Sequence, residues 1–172
     1  MADRSEAGHQ HLRVHLNQLG LHVNEPEPVI ICRLCTFALR GSAESIVNYL
    51  TEKHNVSKQS ANETRQLLRP YIILGPKELR LRSDGSPPHP YLAKHLGIAC
   101  KQCGFKTTSV QVVGRHLSKD HGLKRKSSTW LRDYVIERLT FQSWDRNGTY
   151  GYWVVALDRL TTATSSFDNS LL

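Results

Sequence analysis

The chain has 172 residues, 39% of them hydrophobic, and carries 23 Lys and Arg against 15 Asp and Glu for a net charge of +8. That length allows one ordinary domain or two small modules, and the modest apolar content favours small modules held together by metal over one large core. No apolar run approaches a membrane span, no signal core follows the start, and the acidic residues there argue against a transit peptide. The charge is uneven. Residues 1–60 hold six basic and six acidic residues, so the whole excess lies in residues 61–172, with 17 against nine. A basic bias favours polyanionic partners, although it also serves solubility. The four cysteines form two Cys-x2-Cys pairs, which in a reducing compartment read as metal ligands rather than disulfides. Without secretion, the three Asn-x-Ser/Thr sequons at Asn55, Asn62 and Asn147 are chance.

Residues 1–24 read as a flexible N-terminal arm with a short helical tendency. They hold four of the nine histidines, His9, His11, His15 and His22, and a His-rich tract can bind metal. Glu25-Pro-Glu-Pro28 is punctuation, and Val29–Ile31 reads as a short strand leading into Cys32-Arg-Leu-Cys35.

Residues 27–57 form a degenerate finger of the two-cysteine, two-histidine type. Residues 58–97 read as a helix followed by a Pro-rich linker. Ser60-Ala-Asn-Glu63 is a capping box for that helix, Pro70 stops it, and Tyr71–Leu74 is a short buried strand or the helix tail. Residues 75–90 hold four of the seven prolines and read as a loop, and His89 and His95, which precede the second knuckle, are surface or packing residues.

Residues 98–123 carry the strongest signal, Cys100-x2-Cys103-x12-His116-x4-His121. Two thiolates and two imidazoles at this spacing fit a tetrahedral zinc site. The knuckle lets two sulfurs converge, the intervening residues turn the chain into a helix, and the two histidines share one helical face. Ile98, Phe105 and Val113 are placed to pack beneath the metal. The usual finger aromatic stands four residues after the second cysteine, where this chain has Thr107.

The two halves are an internal repeat. Ile30, Cys32, Cys35 and Phe37 match Ile98, Cys100, Cys103 and Phe105, and Ile46, Tyr49 and His54 match Val113, His116 and His121. The first copy is one residue longer between its halves, and Tyr49 stands where His116 stands. A neutral phenol with a pKa near ~10 is a poor zinc ligand. The first copy therefore offers Cys32, Cys35 and His54. Asn48, Glu52 or a distant residue such as His22 could complete it, or water could fill an open position.

Residues 124–157 read as a short helix and a β-hairpin. Lys124-Arg125-Lys126 follows the helix stop at Gly122, and Ser127, Ser128 and Thr129 could cap a helix running from Trp130. Asn147-Gly148 is a strong turn signal between Leu139–Trp144 and Tyr150–Val155. Trp144, Tyr152 and Trp153 could stack nucleobases, but packing is the commoner use of aromatics in a hairpin. Residues 158–172 read as a flexible tail. The fold class is therefore small α+β and metal-stabilised: two separated ββα zinc-finger-like modules, the first degenerate, with a helical and loop spacer and a C-terminal β-hairpin.

These residues resemble a fungal two-zinc-finger family typified by protein D of the orsellinic acid biosynthesis cluster. The resemblance rests on Val29–Cys35, Leu50 to His54, Pro90-Tyr91-Leu92 before Gly97-Ile98-Ala99-Cys100, Cys103-Gly104-Phe105, Val113 to His121, and Gln142 to Tyr152-Trp153-Val154. It covers roughly residues 27–155. It implies zinc-binding modules in an intracellular protein. The family pattern has two histidines in its first finger, from which Tyr49 departs.

Three function classes are open to such a chain. In a nucleic-acid-binding finger, Ser109, Gln111, Val112 and Arg115 would face the bases, and Lys119, Lys124, Arg125 and Lys126, with Lys101 and Lys106, the phosphates. DNA is the expected partner ahead of RNA, and the expected location is intracellular and nuclear. A single finger spans only about three base pairs, however. The alternative is a protein-interaction or scaffolding module with purely structural Zn2+. An enzyme is not expected, because the deaminase His-x-Glu and Pro-Cys-x2-Cys pairing and a phosphate-binding glycine loop are both absent. No membrane and no small-molecule substrate are expected.

Overall fold

The computed structural model describes residues 3–123 and 130–156. They form a small α+β fold with two antiparallel sheets, one of three strands and one of four.

The expected flexible arm is instead part of the first sheet's support. Helix α1 (Asp3–Gln18) presents a narrow stripe of Leu12, His15 and Leu16, all buried. The i, i+4 spacing of the two leucines puts them on one face. Gly20 ends the helix at a φ of 73°, where a side chain would be strained. Strand β1 (Leu21–Asn24) then pairs with β2 (Val29–Cys32), and β2 pairs with the short β3 (Phe37–Ala38).

Ser42 caps α2 (Ala43–His54) by accepting from the Ser45 amide, and Asn55 closes it in the left-handed conformation. Helix α3 (Lys58–Leu68) begins earlier than the Ser60 capping box implies. Its cap is Ser57, which accepts from the Ser60 amide. Tyr71–Leu74 is neither strand nor helix. Ile72 is 84% exposed, and the segment is held by a hydrogen bond from the Leu74 amide to the Pro28 carbonyl.

Strand β2 is buried on both faces, so its alternation divides it between two cores. Ile30 and Cys32 join Leu12, Leu16, Leu21, Ile46, Leu50 and Leu68 under the helices. Val29 and Ile31 point the other way, into a cluster with Ala38, Leu92, Trp144, Trp153 and Val155.

The second sheet has the order β5 (Lys106–Thr107), β4 (His95–Cys100), β6 (Val135–Gln142), β7 (Trp153–Val154). Helix α4 (Val110–Asp120) packs on it through Val113 and Leu117, and α5 (Trp130–Tyr134) leads into β6. The C-terminal strands pair, but not as a tight Asn-Gly hairpin. Only Phe141 with Val154 and Gln142 with Trp153 are in register, and residues 143–152 form a broad connection. Asp145 organises that connection, its carboxylate accepting from the amides of Asn147, Thr149 and Tyr150. Trp144 and Trp153 are fully enclosed, and Tyr152 stacks on Phe141.

The Pro-rich stretch is also packed rather than a free linker. The Gly85 amide donates to the Val154 carbonyl and the Ala156 amide to the Ser86 carbonyl. The side-chain amide of buried Gln142 donates to the His89 and Leu92 carbonyls and accepts from the His89 amide. The two finger-like segments, far apart in sequence, are thus tied together through one apolar cluster and the strands beside it. The residues read as a flexible tail, 158–172, lie outside the described residues.

Candidate metal centres

Each sheet carries a Cys/His group that could hold a metal ion: Cys32, Cys35 and His54 in one, and Cys100, Cys103, His116 and His121 in the other. Within each group the donor atoms lie within 4.8 Å of one another. The repeat is visible in the backbone. In both knuckles the fourth residue after the first cysteine folds back, the Thr36 amide onto the Cys32 carbonyl at 2.7 Å and the Gly104 amide onto the Cys100 carbonyl at 2.9 Å. Both residues have positive φ, 59° and 73°.

In the second group, strand β4 delivers Cys100 at its end and α4 delivers His116 and then His121 at its C-cap. Cys103 Sγ lies 3.2 Å from His116 Nε2, Cys100 Sγ lies 3.5 Å from His121 Nε2, and the two Nε2 atoms are 3.2 Å apart. A tetrahedral ion with bonds of about 2.0–2.3 Å to nitrogen and sulfur has edges of about 3.3–3.8 Å between its ligands. The four donors are therefore at coordination spacing.

His116 Nδ1 donates to Asp120 Oδ2 at 2.6 Å, one helical turn on. This bond fixes the tautomer that leaves Nε2 free to ligate. Burial opposes ionisation of the Cys100 thiol. The backbone amides of Cys103 and Gln102 and the neighbouring His116 outweigh it, and the thiol is held below its ordinary range. Phe105 does not enter the core beneath the group as its position suggests. It stacks on His116 at 4.3 Å between centroids and 24° between planes, and is exposed on its other face. Val113 is fully buried, and Thr107, where the usual aromatic would stand, is buried too.

In the first group, β2 delivers Cys32 and the last turn of α2 delivers His54. His54 Nε2 lies 3.4 Å from Cys32 Sγ and 3.6 Å from Cys35 Sγ. The other residues named for a fourth position are elsewhere. His22 packs on Tyr91, 4.6 Å between centroids, and Asn48 and Glu52 line a groove against α3 with Lys58 and Arg65. Tyr49 is the residue that does reach the group, with its hydroxyl 3.3 Å from His54 Nε2. Burial first, then the Cys35 and Cys32 sulfurs beside it, hold the Tyr49 phenol above its ordinary range in the absence of a cation. The histidines of the arm do not gather. His15 Nε2 meets Thr64 Oγ1 at 2.8 Å, and His9 lies edge-on to Tyr71. Buried His89 meets Asn24 Oδ1 at 2.9 Å.

The family model described as orsellinic acid/F9775 biosynthesis cluster protein D matches residues 19–146. The chain belongs to this family. The match takes in both Cys/His groups and all three strands of the first sheet, while Tyr152-Trp153-Val154 lies beyond it. No curated protein and no solved structure matches the chain.

The residues expected to meet nucleic acid fall into four sets. Gln111, Arg115 and Lys119 are exposed at i, i+4 and i+8 of α4, so they share one face. Val112 is half-buried beside them, and the Ser109 hydroxyl is occupied as the α4 cap, accepting from the Val112 amide at 3.3 Å. Lys106 pairs with Asp84 at 2.9 Å, and Lys101 donates to the carbonyls of Arg132 and Asp133, so neither is a free phosphate contact. Lys124, Arg125 and Lys126 lie outside the described residues. Spacing alone pointed to the ligands but not to Asp120, although an acid four residues after a helical ligand is a readable signal.

Proposed function

We propose that the chain is a zinc-binding protein whose second Cys/His group, in a ββα finger, presents α4 to nucleic acid, DNA ahead of RNA. The observation that carries this is the exposed row of Gln111, Arg115 and Lys119 on the helix face turned away from Val113 and Leu117. Zinc follows from the donor set, since two thiolates and two imidazoles in a closed tetrahedron suit that ion and leave no open position for chemistry. Its role is structural, and no catalytic step is proposed. Thiolate ligation goes with a reducing, intracellular setting, and DNA as partner goes with the nucleus.

Residues Arg115 and Gln111 would approach base edges, and Lys119 with the Lys124–Lys126 run would approach phosphates. The test is binding of zinc-loaded protein to duplex DNA across a salt series. Affinity should fall steeply with salt because neutralised phosphates release counterions. Arg115→Ala should weaken binding by about 1–3 kcal/mol at one base position. No binding to DNA or RNA at low salt would overturn the reading.

One observation favours the second reading, a protein-interaction module. The face of α2 carrying Glu44, Asn48 and Glu52, which the repeat matches to Gln111, Arg115 and Lys119, is turned to α3, with Arg65 bridging to Glu44 at 2.8 Å. Of the two repeat helices, α4 is the one left to reach a groove, and a single finger reads about three base pairs.

A further inference from the structure

The first Cys/His group has a fourth donor atom in place. Seen from His54 Nε2, Cys32 Sγ is at 3.4 Å, Cys35 Sγ at 3.6 Å and the Tyr49 hydroxyl oxygen at 3.3 Å. For tetrahedral bonds of about 2.3 Å to sulfur and about 2.0–2.1 Å to nitrogen or oxygen, the N···S edge is about 3.5 Å and the N···O edge about 3.3 Å. The three distances therefore define one corner of a coordination tetrahedron whose other corners are two sulfurs and a phenolic oxygen. The second group provides the internal standard. Its corresponding edge, His116 Nε2 to His121 Nε2, is 3.2 Å.

The repeat explains how a tyrosine arrives there. Tyr49 and His54 are five apart near the end of α2, as His116 and His121 are at the end of α4. A tyrosine reaches further from its Cα than a histidine. The first copy compensates with one more residue between its second cysteine and this position. The ring is also held. Phe37 lies edge-on to it at 5.8 Å, and it packs against the core under α1 and α2.

We propose that Tyr49 is the fourth ligand of the first site, so that two thiolates, one phenolate and one imidazole enclose a zinc ion there and the site is neither open nor lost. This rests on the reading that both groups hold zinc. On binding, the phenol O–H bond is replaced by an O–Zn bond, and the proton leaves to solvent with those of the two thiols. A dication supplies the charge that opposes the three anionic donors.

The test uses the full chain loaded with zinc, unaltered and as Tyr49→Phe. Cysteine 13Cβ shifts report each site separately, Cys32 and Cys35 for the first and Cys100 and Cys103 for the second. A phenolate difference absorption on zinc addition reports the tyrosine. The expected result is two zinc ions in the unaltered chain, with one phenolate formed. Tyr49→Phe should lose that band and bind the first ion at least tenfold more weakly, with the second site unchanged. Zinc at both sites with no phenolate band, and equal affinities in Tyr49→Phe, would overturn the proposal while leaving the zinc reading intact. Absence of zinc from Cys100 and Cys103 in the unaltered chain would instead sink the reading beneath it. If Tyr49→Phe misfolds, the phenolate band of the unaltered chain decides alone.

Discussion

Asp120 and His116 are joined across one turn of α4 by a 2.6 Å bond from Nδ1 to a carboxylate oxygen. The aspartate lies half in solvent, yet it decides which ring nitrogen faces the other donors. Asp120→Ala should therefore weaken metal binding at the second group by roughly 10-fold, toward the low end of the range because water can replace an exposed carboxylate. Competition with a chromophoric chelator measures this. Unchanged affinity would show that the ring is oriented by its stack on Phe105 alone.

Thr36 is a β-branched residue at a φ of 59°, where the matching position of the second knuckle has Gly104. Left-handed backbone costs such a residue on the order of 1–2 kcal/mol. Thr36→Gly should relieve this strain, reduced by the larger unfolded-state entropy of glycine, for a net gain of about 0.5–1 kcal/mol. Denaturant unfolding of the zinc-loaded protein reads the change, and a loss of stability would mean that the hydroxyl bond to the Cys35 carbonyl matters more.

His89 gives the fold a pH dependence of definite sign. Burial first, then the positive charge of Arg82 and His22 against the weaker opposite pull of Glu27, lowers its pKa from 6.5 to about 4. The unfolded chain thus binds the proton more readily, so stability is complete above about pH 6.5 and is lost as pH falls toward about 4. Between about pH 7.5 and about pH 5 this residue alone should remove about 2 kcal/mol. Metal ligands also take up protons on acidification, so the measurement is a comparison. His89→Gln should show a shallower fall in stability than the unaltered chain, and the His89 ring signals should titrate near the acid end.

Gly97 sits in β4 beneath the Phe141 ring of β6, and a Cβ there would collide with it. Gly97→Ala should destabilise the second sheet by about 1–3 kcal/mol, as overpacking of a closed core does. A cut in the thermal midpoint of zinc-loaded protein, with metal content unchanged, is the expected readout.

The Cys/His spacing made the metal groups legible, because ligand geometry is local and the repeat states it twice. The arm was not legible as structure. Among the described side chains of its helix the buried stripe is Leu12, His15 and Leu16, too narrow to stand out among polar neighbours, and its partner Thr64 lies 49 positions beyond His15. The Asn147-Gly148 turn departs from a tight hairpin for a similar reason. A carboxylate two residues before it collects the amides of the loop, and the distant cluster around Ile31 decides where Trp153 goes. Lys106 looked available because Asp84, which neutralises it, sits in a stretch that composition marks as loop. Long-range partners, not local propensity, settled each of these.

The seam at Trp144 bears on the order of assembly. The Ala38 amide donates to the Trp144 carbonyl at 2.8 Å, and Ile31 and Val29 are covered by Trp144, Trp153 and Val155. During synthesis at about 5–20 residues per second, the outer face of β2 must wait several seconds for its cover. Until then three buried positions of the first sheet, Val29, Ile31 and Ala38, are bare, and a non-local closure of this kind is slow even once the chain is complete. The earlier metal group, whose ligands are all made by His54, can close before that moment. An ion held there would fix α2 against β2 and its knuckle while the last strands arrive.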